Sequence, residues 1–395
     1  MNSGSPKYKK GLKILVMGYL LRGPMGGMFW HHLQYVLGLK KLGHEVYYFE
    51  DSGDSEYACY NPISGENNQD PSYGIKYLTK VFKRFQLEEI WAYYDGLTDT
   101  FYGPQGEKLK NQTREFDLLL NLSGANVLRD FWLQIPHRAF IDTDPLFTQI
   151  RNLTEPKRKE LCAQHNRFFS FGGNINLSGC SIPDDGFSWQ ISKQPIVISN
   201  WKPSQPDKNS SFTTIMQWRS YKDLQYKGVH YGMKRESFQA YFQIPEKCKQ
   251  EFKIAMGSPK APRKELRQAG WTITNPLEVA LYPWDYQSFL QDSLGEFSVA
   301  KDGYVKSWSG WFSERSACYL ASGRPVILQD TGFSNYMKTG EGLLCFSNPE
   351  EAIEALEETA SNIDRHADAA RSIAETYFDS DKVLDSLLER CMKHG

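Results

Sequence analysis

Residues 22–27 read Arg-Gly-Pro-Met-Gly-Gly and stand between an apolar run and a helical pattern. Paired glycines, here Gly26 and Gly27, let a ligand come up against backbone N–H groups and the positive end of the following helix. That suits an anion, and Arg22 adds a charge beside them. A tight turn is the plainer use of the same residues. His31 and His32 lie near that helix start. Neighbours in a helix do not share a face, so at most one of them can look toward a site in front of the loop.

Asp142-Thr-Asp144 forms a second set. One carboxylate of such a pair can act as a general base, and D-x-D is also a spacing at which a hard cation is held through carboxylate oxygens. Asn121, Ser123 and Gly124 close the segment FDLLLNLSG, as Asp142 and Asp144 close HRAFIDTDP. Both segments pass from apolar to polar, as strands do when their carboxyl ends face a site.

The elements that must position these groups alternate. Residues 13–18 form a short apolar run, which predicts a buried strand. From Met28 the apolar positions Leu33, Val36, Leu37 and Leu42 recur at helical intervals, and Leu-Gly-His ends that helix before a strand over Val46–Phe49. A helix and a short strand are expected between 70 and 95, then strands over 116–124 and 137–145. NWKPSQPDKNSS, 200–211, carries two prolines and almost nothing apolar, as a linker does. Beyond it FTTIMQW, EFKIAMG, WTITN, EFSVA and RPVILQD read as strands, separated by helical stretches at 236–242, 264–269, 286–293 and 313–321. Such alternation implies a parallel sheet covered on both faces. The tail is helical by pattern.

A chain of 395 residues exceeds the usual single core, so two domains are expected. The formal net charge of −1 argues against a broad nucleic-acid or anionic-membrane surface. No apolar stretch is long enough to span a bilayer, and MNSGSPKYKKG lacks a signal-peptide core, which points to the cytoplasm. The seven cysteines contain no C-x-x-C pair, as expected of reduced, structural thiols. Aromatic residues make up 14% of the chain, more than enough for a core and for stacking surfaces against sugars.

GPMGGMFWHHLQYVLGLKKLGHEVYYF resembles the opening Gly-Gly loop, helix and GHxV strand of the GT-B glycosyltransferases of family 4 and family 1 type. SGWFSERSACYLASGRPVILQDTGFSNYMKTGEGLLCFSNPEEAIEAL resembles their donor-site end. The resemblance implies an α/β fold of two Rossmann-like domains facing a central cleft. Residues 1–200 would bind the acceptor and 201–375 the nucleotide-sugar, and 376–395 would form a helix returning to the first domain. It implies a sugar transferred from a nucleoside diphosphate to an unidentified small-molecule or saccharide acceptor, with no metal, and with the nucleotide-sugar as substrate rather than cofactor. On this reading Arg219 and Lys222 or Lys227 neutralise the diphosphate. Ser309 caps the next helix, and free N–H groups at Gly310 face phosphate oxygens. Glu314 accepts from ribose hydroxyls, and Asp330, Thr331 and Gly332 line the loop after the next strand. Gly26, Gly27 and Arg22 face the donor across the gap. Asp142 or Asp144 serves as base or sugar-positioning group, and His31 is a further catalytic candidate.

The chain departs from the family at its E-x7-E pair, whose positions fall on Gly310 and Cys318; Glu314 lies one turn before Cys318, on the same face. Retention of anomeric configuration therefore does not follow. A nucleotide-sugar 2-epimerase or a non-catalytic sugar-nucleotide binder of the same fold is the alternative. A GT-A enzyme using the D-x-D pair ranks lower, because that fold lacks a second Rossmann-like half. A dehydrogenase ranks last for want of G-x-G-x-x-G.

Overall fold

The computed structural model describes residues 8–393, so Met1–Lys7, part of the stretch read for a signal peptide, and the last two residues lie outside the described residues. The first half is built on an eight-stranded sheet. Its spatial order is 190–191, 167–170, 137–142, 118–122, 13–17, 45–51, 91–95 and 100–102. Neighbours pair in parallel except at the 100–102 edge. Lys13–Met17 is central because it is apolar on both faces: Ile14 and Val16 enter one buried cluster, Leu15 and Met17 the other.

The second half is a six-stranded, wholly parallel sheet in the order 271–274, 252–257, 212–217, 295–298, 326–329, 343–346. In each sheet the order reverses beside the half's first strand, between 13–17 and 118–122 and between 212–217 and 295–298. Crevices open beyond the carboxyl ends at such reversals, and that is where ligands of parallel sheets sit. The expected strands are present with shifted ends: most are trimmed, while Val46–Phe49 lengthens to Glu45–Asp51. The helix expected at 236–242 is Lys234–Phe238 followed by a single 3₁₀ turn. Residues 167–170, 190–191 and 343–346 add strands that the pattern reading did not assign.

The two halves pack closely. One apolar cluster holds Phe29, Trp30 and Leu33 of the first together with Tyr286, Leu290, Phe312 and Ala317 of the second. The chain crosses between them beside itself, where Ile196 and Asp379 form a bridge. After the second crossing, helix Ser380–Met392 lies along helix Gly26–Lys41, with Leu384 filling the space that the missing side chain of Gly38 leaves and Lys41 pairing with Asp381 at 2.7 Å. Phe378, Leu384, Leu387 and Leu388 are buried; Tyr377 and Val383 are only half-buried.

Candidate active site

The loop after the first strand is held from behind. Leu21 N–H and Arg22 N–H donate to the buried carboxylate of Glu50 at 2.6 and 3.1 Å, and Tyr48 donates to it at 2.8 Å. The Arg22 guanidinium turns back into the reversal of the first sheet, onto Ala125 O at 2.9 Å and Asn126 Oδ1 at 3.2 Å. Gly26 and Gly27 are used differently from the expectation as well. Gly26 N–H donates to Ala280 O of the second half at 2.8 Å. A Cβ on Gly26 would overlap the carbonyl of Tyr282, and one on Gly27 would lie 2.9 Å from the Tyr286 ring. The glycines let the helix start dock on the other half, a close approach of backbone to backbone.

Of the two histidines, His32 packs among Tyr19, Tyr48 and the Gly18 backbone, its Nδ1 at 2.8 Å from Met28 O. His31 is the one that senses the second half, through Glu314. Its Nε2 is buried without a hydrogen-bond partner. Burial holds the imidazole below its ordinary pKa, and the nearby Glu314 partly opposes this. The ring is thus neutral near pH 7 and able to accept a proton.

Asp142 is wholly buried and spent within its own half. It accepts from Asp144 N–H at 2.9 Å, Thr148 at 2.7 Å, Gln149 at 3.0 Å and Ser170 at 2.7 Å. Burial raises its pKa despite these donors. Asp144 reaches across instead, to Lys301 Nζ at 2.8 Å and to the hydroxyls of Tyr221 and Tyr304, with Arg151 at 3.8 Å. Burial pushes its carboxyl up, and Lys301 with these hydrogen bonds more than reverses that, leaving it below the ordinary value. One carboxylate is sealed and the other faces an ammonium, so the D-x-D pair does not converge on a shared cation. Asn121 and Gly124 are also internal: Asn121 donates to Asn126 O at 2.9 Å, and Gly124 lies flat against Phe140. Ser123 is half-buried and meets Thr143 at 2.7 Å.

In the second half Ser309 and Gly310 do not start a helix. Gly310 has φ +71° and donates to Thr331 O at 2.7 Å, while Ser309 O accepts from Asn174 N–H of the first half at 3.1 Å. The cap is Ser313, which accepts from Arg315 N–H at 3.2 Å, and the helix is Glu314–Ala321. Glu314, its first residue, is half-buried and acts electrostatically on His31 and Tyr19 across the gap. Asp330, Thr331 and Gly332 form a turn whose polar groups are taken up within the protein. Asp330 accepts Gly332 N–H at 2.8 Å, Thr331 donates to Trp311 O at 2.6 Å, and Gly332 O takes Asn174 Nδ2 at 3.0 Å. Lys222 is exposed. Arg219 borders a cavity of about 750 Å³ beyond the carboxyl ends of strands 212–217, 252–257 and 271–274. Lys260, Arg263 and Arg267 line it too, and Met25 and Tyr60 of the first half close it.

Three groups that the sequence reading did not single out occupy the reversal of the second sheet. Arg315, its side chain 11% exposed, donates to Glu296 at 2.6 Å, Ser298 at 2.9 Å and Ile215 O at 2.8 Å, which fixes the two central strands against each other. Lys234, the first residue of its helix, has one hydrogen bond, to Ser298 Oγ at 3.5 Å. Burial holds its ammonium well below the ordinary pKa, and Arg315 adds to the effect. Lys301 completes the set from the adjacent connection. Lys234 stands at the helix start of the first strand-to-helix connection, which is where a positional rule would have looked.

No protein-family model and no curated protein sequence matches the chain. Solved structures do. An α-glucosyltransferase in complex with UDP and a 13-mer DNA containing a central A:G mismatch is similar, with a TM-score of 0.57 and 14% identity over 96% of this chain and 99% of that one. The fold is GT-B. Anabaena Alr3699/HepE in complex with UDP and glucose shows the same likeness, with a TM-score of 0.56 and 12% identity over 96% of this chain and 98% of the other. AviGT4, a glycosyltransferase involved in avilamycin A biosynthesis, shares it at a TM-score of 0.50 and 12% identity, covering 96% and 97%. In this GT-B chain Lys301 of the second half reaches Asp144 of the first, and Glu314 of the second acts on His31 of the first, so both sets of residues lie where the halves meet.

Proposed function

We propose that this GT-B chain transfers a glycosyl group from a nucleoside diphosphate sugar to an acceptor hydroxyl. The observation that carries the reading is Lys234: a half-buried ammonium whose one bond is a long one to a hydroxyl, at the reversal of the donor-side sheet. A partly desolvated cation so poorly paired is costly unless an anion completes it. The cavity beside Arg219 would take the nucleoside, and the diphosphate would extend from it toward Lys234 and the N-terminus of helix Glu314–Ala321. These groups supply positive potential without an ion. The structural neighbours solved with UDP or UDP and glucose support the same donor class.

In the reaction the acceptor oxygen attacks the anomeric carbon and the bond from that carbon to the β-phosphate oxygen breaks. The nucleoside diphosphate leaves with the bonding electrons. Lys234 stabilises the charge that grows on the leaving oxygens. His31, neutral and with Nε2 unpartnered, takes the acceptor proton. Asp144 holds the halves together through Lys301 rather than acting on substrate.

Calorimetry with UDP, GDP and ADP, followed by turnover of the matching sugar donor in chelator, tests the reading. Binding of one diphosphate, weakened roughly 10- to 100-fold by Lys234→Met, is expected. If none binds, or if Lys234→Met binds as the unmodified chain does, the assignment is wrong.

A further inference from the structure

A second cationic cavity lies at the edge of the first sheet, where strand Gln190–Ile191 meets helix Ser380–Met392. Its volume is about 410 Å³, and it shares no lining residue with the cavity beside Arg219. Lys193, Lys382 and Arg390 line it, together with Ser192, Tyr377 and Ser386. An adjoining cavity continues from Arg390 to Arg167 and Lys393. Among the described residues no carboxylate lines either one.

The side chains are placed for a ligand rather than for one another. Lys193 makes no hydrogen bond or ion pair among the described residues; its ammonium is held over the rings of Tyr377 at 4.7 Å and Tyr336 at 5.5 Å. Arg390 is anchored by Nη1 on Ile191 O at 2.6 Å and by Nε on Ser386 O at 3.0 Å, which leaves its other terminal nitrogen free to donate. Ser192 is 4% exposed, and its Oγ has no partner. Burial pushes both Lys193 and Arg390 below their ordinary pKa values, so holding them charged and unmatched works against the fold. A buried hydroxyl, two oriented cations and a third at the rim form the donor set that a phosphoryl group satisfies.

We propose that this cavity binds a soluble small molecule carrying a phosphoryl or pyrophosphoryl group, at a site separate from the central cleft. Its walls come from both sides of the domain crossing. Lys193 precedes the first passage, and Tyr377 and Lys382 flank the second, at Ile196 and Asp379. An occupant therefore ties the two passages together.

Inorganic pyrophosphate is the probe, titrated calorimetrically into the full chain, into Lys193→Gln/Lys382→Gln and into Lys234→Met. The unmodified chain is expected to bind at this cavity, with affinity reduced at least tenfold in the double variant and retained in Lys234→Met. Lys193→Arg, which keeps the charge, should keep most of the binding, and the melting temperature of each variant shows that it is folded. A double variant that titrates like the unmodified chain overturns the proposal. So does sedimentation with phosphatidylglycerol vesicles that depends on Lys193 and Lys382 while pyrophosphate does not bind, because the face would then be a membrane-docking surface.

Discussion

Replacing Lys234 with Met keeps the length of the side chain and removes its charge, which separates what the ammonium does for a ligand from what it does for the fold. Its one hydrogen bond is 3.5 Å long and goes to a neutral hydroxyl, so little is lost from the unliganded protein. Burial, then Arg315, hold its pKa well below the ordinary value, with Glu296 and Glu314 pulling the other way. Between that folded value and the unfolded one near ~10.4 the unfolded chain binds the extra proton, so stability rises with pH in this window. Below the folded value the cost of the charge is complete. Lys234→Met should therefore melt at the same temperature as the unmodified chain or higher near pH 7, and should lose that pH-dependent slope. A hydrogen bond from an ammonium to phosphate is worth about 1.5–3 kcal/mol, so the dissociation constant for a nucleoside diphosphate should rise roughly 10- to 100-fold. Scanning calorimetry and isothermal titration on one preparation measure both quantities. Unchanged nucleotide affinity would refute the ligand role, and a melting temperature several degrees lower would refute the burial argument.

His31→Gln should lower turnover by roughly 10²–10⁴-fold with nucleotide affinity held, and the acid limb of the native pH–rate profile should lie below the usual histidine range, because burial lowers this pKa. A variant of near-native rate would remove His31 from the proton transfer. Asp144→Asn leaves Lys301 facing a neutral amide, and urea unfolding should show a loss of about 3 kcal/mol; no loss would mean the tie across the cleft is not formed in solution. Gly26→Ala drives a methyl into the Tyr282 carbonyl, which is backbone and cannot swing aside, so a destabilisation of about 1–3 kcal/mol is expected. An alanine variant as stable as the parent would point back to a loop open for ligand rather than one packed against the other half.

The alternation of strand and helix was legible because fully buried strands such as Leu118–Leu122 must be apolar on both faces. Arg167–Ser170 escaped notice because it is four residues long and only its second half is buried. The site was harder to read for reasons that lie in the chemistry. A glycine that admits a phosphate and one that admits a neighbouring backbone need the same thing, a missing Cβ, and sequence does not distinguish them. Polar residues after a strand can look outward or close back on the next turn, and Asp142 chose Thr148 and Gln149, which follow it in the chain. Lysine position was obscured by the hairpin of 224–226 and 229–231. That insertion leaves Lys222 and Lys227 exposed and delivers Lys234 to the sheet reversal.

The docking of helix Ser380–Met392 on helix Gly26–Lys41 sets an order for synthesis. The six strands of the second sheet come from one continuous stretch, 212–346, which can fold while translation continues. The first sheet is complete much earlier, yet the helix beside its opening strand lacks its cover until Ser380–Met392 has been made, after the whole second sheet. Gly38 stays bare until Leu384 arrives. A nascent chain stalled between the last strand of the second sheet and Leu384 carries both sheets beside an apolar helix face that chaperones and proteases can reach. Frameshifts and stops that fall between the second sheet and Leu384 would therefore be cleared as misfolded protein, although both sheets had already been made.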